Sequence, residues 1–272
     1  MQKTIAIISS EKIGTIIFNP IYVSLPDYSL KKALRAYLQG LLIGLNASIV
    51  DASKLNNRFT LVRIEGDDAE VAVRYLEKVF GRRIQYSDIV VEQEYSGRIM
   101  GVLGSDILTD IGTEEAMYVK INAVSLLSKI LRKNPRRLEP KIDEIIRIAG
   151  LARNMPFVVK VVSMEENQVI GLPGRRTINM FRKWFRERLD RVVVTGVLRT
   201  HLDKVMRKTG LFKKIVRIDR IGFLEYAIVC RFDTFADEVA NILRKSTAKC
   251  VSIFMPRKIR KLVEQLSIDK IS

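Results

Sequence analysis

The sequence predicts an α+β protein in three parts, with a five-stranded barrel between two units that each run strand-helix-strand-strand-helix-strand. Three observations lead there. Both ends of the chain hold short Ile- and Val-rich runs separated by amphipathic helices. The middle holds short strands joined by tight glycine turns, with one helical stretch between the third and the fourth. The two ends also match each other without gaps: Leu61 aligns with Ile228, Val62 with Val229, Ala69 with Ala236 and Leu76 with Leu243.

In residues 1–93 the runs 5–8 and 13–25 read as strands, punctuated by Gly14 and Pro20. Residues 27–29 start a helix whose Leu30, Leu34, Tyr37, Leu38, Leu41 and Leu45 recur at helical spacing. Strands at 47–50 and 59–64 follow, joined by a polar Asn56-Asn57 turn. Asp67 and Glu70 have capping-box spacing ahead of a helix that buries Ala72, Leu76, Val79 and Phe80. Residues 83–91 are expected as the closing strand. This order is that of a ferredoxin-like unit, an antiparallel sheet with two helices on one face.

Residues 94–173 give strands at 95–103, 106–111 and 116–121, with turns at Gly104-Ser105 and Gly112-Thr113. A charged helical insertion spans 124–152, broken by Pro135 and Pro140, and strands at 157–164 and 168–172 complete the set. That is the layout of an OB-type barrel. The stretch SGRIMGVLGSDILTDIGTEEAMYVKI resembles the opening of an S-one-type OB domain, with a Gly- and Val-rich first strand at 97–102 and Asp110-Ile111-Gly112 after the second. Lys160-Val161 and the hairpin at 165–168 correspond to its last strands. The resemblance implies RNA binding. Where that family displays aromatics, however, this chain has Ile107, Leu108 and Tyr118, and only Tyr118 offers a ring to a base. A barrel with so bare a face also suits a scaffold or a docking module.

Residues 174–190 read as a basic linker helix, and 191–272 as a second ferredoxin-like unit ending in a basic tail. Its strands are 192–197, 215–221, 224–231 and 250–254, with helices at 200–208 and 235–244. As a whole the arrangement resembles an uncharacterised archaeal protein family, known only as a domain of unknown function with an S-one-like middle. That family brings no activity with it.

Lys and Arg number 47 against 30 Asp and Glu, for a net charge of +17. Residues 171–272 alone carry 24 basic and 10 acidic side chains. Such a surface attracts nucleic acid or an acidic partner. No apolar run reaches membrane-span length and residues 1–10 lack signal-peptide character, so a cytoplasmic protein is expected. Cys230 and Cys250 read as small core residues, and the single histidine, His201, as exposed and idle. No zinc-ligand cluster, phosphate-binding glycine loop or nucleophile elbow is present, so neither a cofactor nor a catalytic residue is expected. Asp106, Asp110, Glu114 and Glu115 read as turn acids. Residues 172–176 read as a hinge rather than a phosphate nest.

The candidate nucleic-acid-binding residues fall in three places. In the 174–191 helix they are Arg175, Arg176, Arg182, Lys183, Trp184 and Arg186. Here Ile178, Phe181, Phe185 and Leu189 form the packed stripe and the basic side chains the outer face. Trp184 sits at the border, placed either to stack on a base or to wedge between domains. Lys213 and Lys214 flank Phe212, and Arg257, Lys258, Arg260 and Lys261 form the last cluster. A smaller group, Arg132-Lys133 and Arg136-Arg137, lies in the barrel insertion. The expected function is a non-enzymatic RNA-binding protein that works mainly through phosphate contacts of its last third. A ribonucleoprotein, the ribosome or RNA polymerase is the candidate assembly, with RNA favoured over DNA because no helix-turn-helix or zinc module is visible. The main alternative is a protein-interaction module of the transcription or translation machinery; a small-ligand sensor ranks last.

Overall fold

The computed structural model describes residues 13–18, 27–115, 117–132, 142–165, 168–246 and 250–268. These residues form a mixed α+β structure with one closed five-stranded barrel and two further sheets. They divide into two units, Met1–Arg83 and Ile84–Ser272.

In the first unit, β1 (Ile13–Phe18), β2 (Ser48–Lys54) and β3 (Phe59–Glu65) pair antiparallel in the order β1-β3-β2. The helix α1 (Asp27–Leu41) buries Leu30, Leu34 and Leu38, spaced one turn apart. The helix α2 (Ala69–Phe80) buries Ala72, Leu76 and Phe80 in the same way. Two expectations are corrected here. The Asp67–Glu70 capping box does not form: Asp68 is the N-cap and makes no side-chain cap bond. Both aspartates instead accept from Asn46, Asp68 from its backbone N–H at 2.7 Å and Asp67 from its side-chain amide at 2.6 Å. The closing strand at 83–91 is also missing. Arg82 makes one antiparallel bridge to Ile17, and Tyr86–Asp88 then turns as a 3-10 helix. Ser and Asp favour such a turn over a strand. The strand expected at 5–8 lies outside the described residues.

The second unit begins with the barrel. Strands β4 (Glu94–Leu103), β5 (Asp106–Asp110), β6 (Tyr118–Asn122), β7 (Pro156–Glu165) and β8 (Gln168–Pro173) close in the order β4-β5-β6-β8-β7. β6 and β8 run parallel, and the other neighbours antiparallel. Alternate residues fill the interior, among them Ile107, Val119, Ile121, Phe157, Val159 and Val161. Gly97 permits the tight crossing of β4 over β5, since a Cβ there would stand 2.6 Å from the Asp110 carbonyl oxygen. After β6, Asn122 caps α3 (Ala123–Leu131) by accepting from the Val124 N–H at 2.8 Å. A short helix, α4 (Ile142–Arg147), follows.

From β8 the chain passes into α5 (Arg175–Glu187) and then the second sheet of this unit. That sheet is built from β9 (Arg191–Thr195), β10 (Ile215–Arg220), β11 (Glu225–Cys230) and β12 (Cys250–Phe254) in the order β10-β11-β9-β12, all neighbours antiparallel. The helices α6 (Arg199–Lys208) and α7 (Ala236–Ser246) complete the expected β-α-β-β-α-β order. Strand alternation gives the sheet two buried faces. Val192, Val194 and Ile228 face Leu202, Met206 and Leu243 of α6 and α7. Val193, Ala227 and Phe254 join the barrel residues and the helix α5 in one continuous core. The helix read as a linker therefore packs inside this core. A buried ion pair, Arg98 with Glu225 at 3.0 Å, also ties β4 to β11.

The basic tail is corrected as well. Pro256–Ile268 forms the helix α8, with Pro256 in the first helical position. Ile259, Leu262 and Val263 are its buried stripe. No helix among the described residues is long and apolar enough to cross a membrane.

Candidate nucleic-acid interface

Helix α5 meets the core with Thr177, Phe181, Trp184 and Phe185. The expected stripe of Ile178, Phe181, Phe185 and Leu189 is turned, leaving Ile178 and Leu189 half-buried. Trp184 causes the turn. It is 3% exposed, and its ring stands 5.2 Å from that of Phe181 and 5.4 Å from that of Phe254. Thr177 fixes the start of the helix by accepting from the Val158 N–H at 2.8 Å. Trp184 thus packs and offers no face to a base.

The opposite side of α5 carries exposed Arg175, Arg176, Lys183 and Arg186. Arg182, expected beside them, is half-buried, and its Nη2 donates to the Lys129 carbonyl at 2.9 Å. It ties α5 to α3. Arg191 is fully buried beneath α5, its guanidinium 5.4 Å from the Trp184 ring. It pairs with Glu187 and donates to the Leu189 carbonyl at 2.7 Å. Burial pushes the Arg191 pKa down against the pull of Glu187. Burial would raise the carboxyl of Glu187, but the hydrogen bond from Arg217 and the charges of Arg191, Arg217 and Lys183 hold it below its ordinary range. These cations hold the end of α5.

Helix α8 completes the site. Arg260 Nη2 donates to the Phe185 carbonyl at 3.2 Å, and Arg257 Nε donates to that of Arg188 at 3.0 Å. Both reach the end of α5, where Arg188 adopts a left-handed C-cap (φ 56°). Cations there satisfy open carbonyls and oppose the negative end of the helix dipole. Between α3, α5 and α8 lies a groove of about 890 Å³. Phe185, Ile130 and Val263 line its apolar part; Arg132, Lys183, Arg186 and Arg260 ring it, with Glu264 the one carboxylate among the described lining residues. A second recess of about 540 Å³ lies by the first turns of α8, with Arg188, Arg257 and Lys261 at its wall beside Phe232. Lys258 is exposed on the same helix.

The groove does not gather every predicted residue. Lys213 and Lys214 belong to a 3-10 turn after α6, on the far side of the sheet, and Lys214 is paired with Glu238. Near that turn, exposed Lys204, Arg207 and Lys208 of α6 form a basic surface that sequence reasoning passed over. Their three- and four-residue spacing was the available signal. Arg132 closes α3 in a left-handed cap (φ 55°), whereas Lys133, Arg136 and Arg137 lie outside the described residues. Tyr118 is 42% exposed on the barrel. Phe232, 76% exposed, was not singled out in the sequence.

Comparison with curated proteins finds no match. Among solved structures, one described as an exosome complex RNA-binding protein aligns at 12% identity over 66% of this chain and 97% of its own, with a TM-score of 0.22. A likeness that slight carries no argument. A family model does match: residues 189–242, from the end of α5 through β9, α6, β10 and β11 into α7, correspond to the DUF2110 C-terminal domain, a domain of unknown function. The match takes in three strands of the second sheet and stops short of β12.

Proposed function

We propose that this chain is a non-enzymatic, cytoplasmic RNA-binding protein that grips phosphates along the α5–α8 groove and serves a ribonucleoprotein or transcription complex. The observation that carries the reading is the groove itself, with its ring of cations around an apolar floor and one carboxylate among the described lining residues. An anion there meets several positive charges at once, and burial of α5 and α8 beneath their cations keeps those charges in place. The barrel's strand order, with the third strand parallel to the fifth, supports the OB-type, S-one-like reading. The order β10-β11-β9-β12 supports the ferredoxin-like reading of the last sheet, and β1-β3-β2 a shortened version at the other end. Both folds serve RNA in other proteins, and that part of the reading is analogy.

The test is binding of a fluorescent single-stranded oligoribonucleotide by the full chain across a salt series. Arg132→Gln, Lys183→Gln and Arg186→Gln combined remove three exposed cations from the groove. Surface changes of this kind cost within about 0.5 kcal/mol each, so the fold should stand. The expected result is weaker binding with a salt slope shallower by about two logarithmic units, at about 0.7 per lost contact. An unchanged affinity and slope would reject the groove as the binding surface.

A further inference from the structure

Phe232 stands in the turn that follows β11, where the Thr234 N–H bonds back to the Arg231 carbonyl at 3.1 Å. Its side chain is 76% exposed, an unfavourable position for a phenyl ring without a partner. One ring face is occupied: the Arg257 guanidinium lies 3.7 Å from the centroid. Arg257 is itself anchored to the end of α5 through the Arg188 carbonyl. The ring is thus backed by a fixed cation, and its other face is open. Beside it lies the smaller recess, where Arg188, Arg260 and Lys261 face Glu187 and Glu264. Glu187 is already engaged by Arg191 and Arg217, so the recess is cationic.

We propose that Phe232 is a stacking platform for an unpaired nucleobase of a single RNA strand, with Arg257 behind it and Lys261 and Arg188 taking the neighbouring phosphates. This rests on the RNA-binding reading above and adds the kind of strand. An open ring face matches the face of any base, and a guanidinium on the far side strengthens the stack. Duplex RNA keeps its bases stacked on one another and presents phosphates and hydroxyls, so it has nothing to lay on the ring.

The experiment compares single-stranded and fully paired oligoribonucleotides on the full chain and on Phe232→Ala, with Phe232→Trp as the retaining variant. Phe232 contributes little burial, so an unchanged circular-dichroism melt is expected and serves as the folding control. Phe232→Ala should weaken single-strand binding about tenfold or more while leaving duplex binding and the salt slope unchanged. Phe232→Trp should bind single strands at least as well as the parent. Equal single-strand binding by the parent and Phe232→Ala overturns the platform and leaves the groove reading standing. So does equal weakening toward single strand and duplex. A parent that binds neither RNA overturns both readings. With a polyglutamate peptide as a third ligand, a Phe232→Ala loss confined to that peptide would assign the ring to an acidic protein segment instead and overturn the base platform.

Discussion

Trp184→Ala separates a packed indole from a binding one. The side chain is 3% exposed, edge-on to Phe181 at 5.2 Å and to Phe254 at 5.4 Å, with the Arg191 guanidinium 5.4 Å from its ring. Truncating a buried Trp costs about 3–5 kcal/mol in lost transfer and cavity. Two aromatic contacts, each worth about 0.5–1.5 kcal/mol beyond area, place this site toward the top of that range. For a unit of this size, each kcal/mol moves the midpoint by about 2–4 °C, so the Tm should fall by roughly 10–15 °C. The assay is circular dichroism, because Trp184 is the single tryptophan and its fluorescence vanishes with the substitution. In the parent that fluorescence reports the second unit alone, and the transition it marks is the one that should move. RNA affinity below the melt should change little, since the indole has no open face. An unchanged melt with weakened RNA binding would refute the packing argument.

Other outcomes can be checked. Arg98 and Glu225 have side chains 4% and 2% exposed, so Arg98→Ala should cost about 3–5 kcal/mol in denaturant unfolding, while Arg98→Met with Glu225→Leu recovers most of it; an equal loss in the double variant would discount the pair. Residues 84–272 hold net +13 and 1–83 only +4, so a fragment 84–272 should bind RNA like the whole chain and 1–83 should not. A fragment starting at 171 should fail to fold by circular dichroism, because Phe181, Trp184 and Phe185 lose the barrel side of their core. Burial pushes the Cys230 thiol up to about 12, so in the native state at mildly alkaline pH a thiol reagent should label the half-buried Cys250 and spare Cys230. A raised thiol pKa contributes stability that is complete below the unfolded value of about 8.5 and is lost as pH rises from there toward 12.

The strands were legible wherever local pattern and tertiary environment agreed. Val192, Val193 and Val194 mark a strand buried on both faces, and the glycine turns at 104 and 112 bracket β5. Legibility failed where a distant residue decided the outcome. Asn46 lies more than twenty positions from Asp67 and Asp68, yet it takes both carboxylates out of the helix cap. In α8 the run Arg257, Lys258, Arg260 and Lys261 obscured the stripe of Ile259, Leu262 and Val263, although Pro256 marked the start. The turn of α5 depended on whether Trp184 would find Phe254, some seventy residues later, and helical periodicity alone leaves a border residue undecided. The groove was out of reach, since it joins Arg132, Arg186 and Arg260 from three separate helices.

Net charge is therefore a poor count of binding residues in this chain. Residues 171–272 hold 24 basic side chains, but many are committed to the fold. Arg191 is buried, Arg182, Arg257 and Arg260 hold helix carbonyls, and Arg217 and Lys214 sit in ion pairs. The commitments differ in what they leave behind. Arg191 has no surface to offer, whereas Arg257 and Arg260 satisfy a carbonyl with one N–H of a five-donor fork while standing at the wall of a recess. A guanidinium held in this way loses little further freedom on meeting a phosphate, unlike a free lysine. With Arg132, Lys183, Arg186, Arg188 and Lys261 added to Arg260, and Arg257 kept behind the Phe232 ring, the groove and its neighbouring recess offer about six phosphate contacts, hence a salt slope near 4 on single strands. That is far below what a charge of +17 suggests. A measured slope approaching ten would mean that the α6 surface, on the far side of the sheet, binds as well and that the strand wraps the domain.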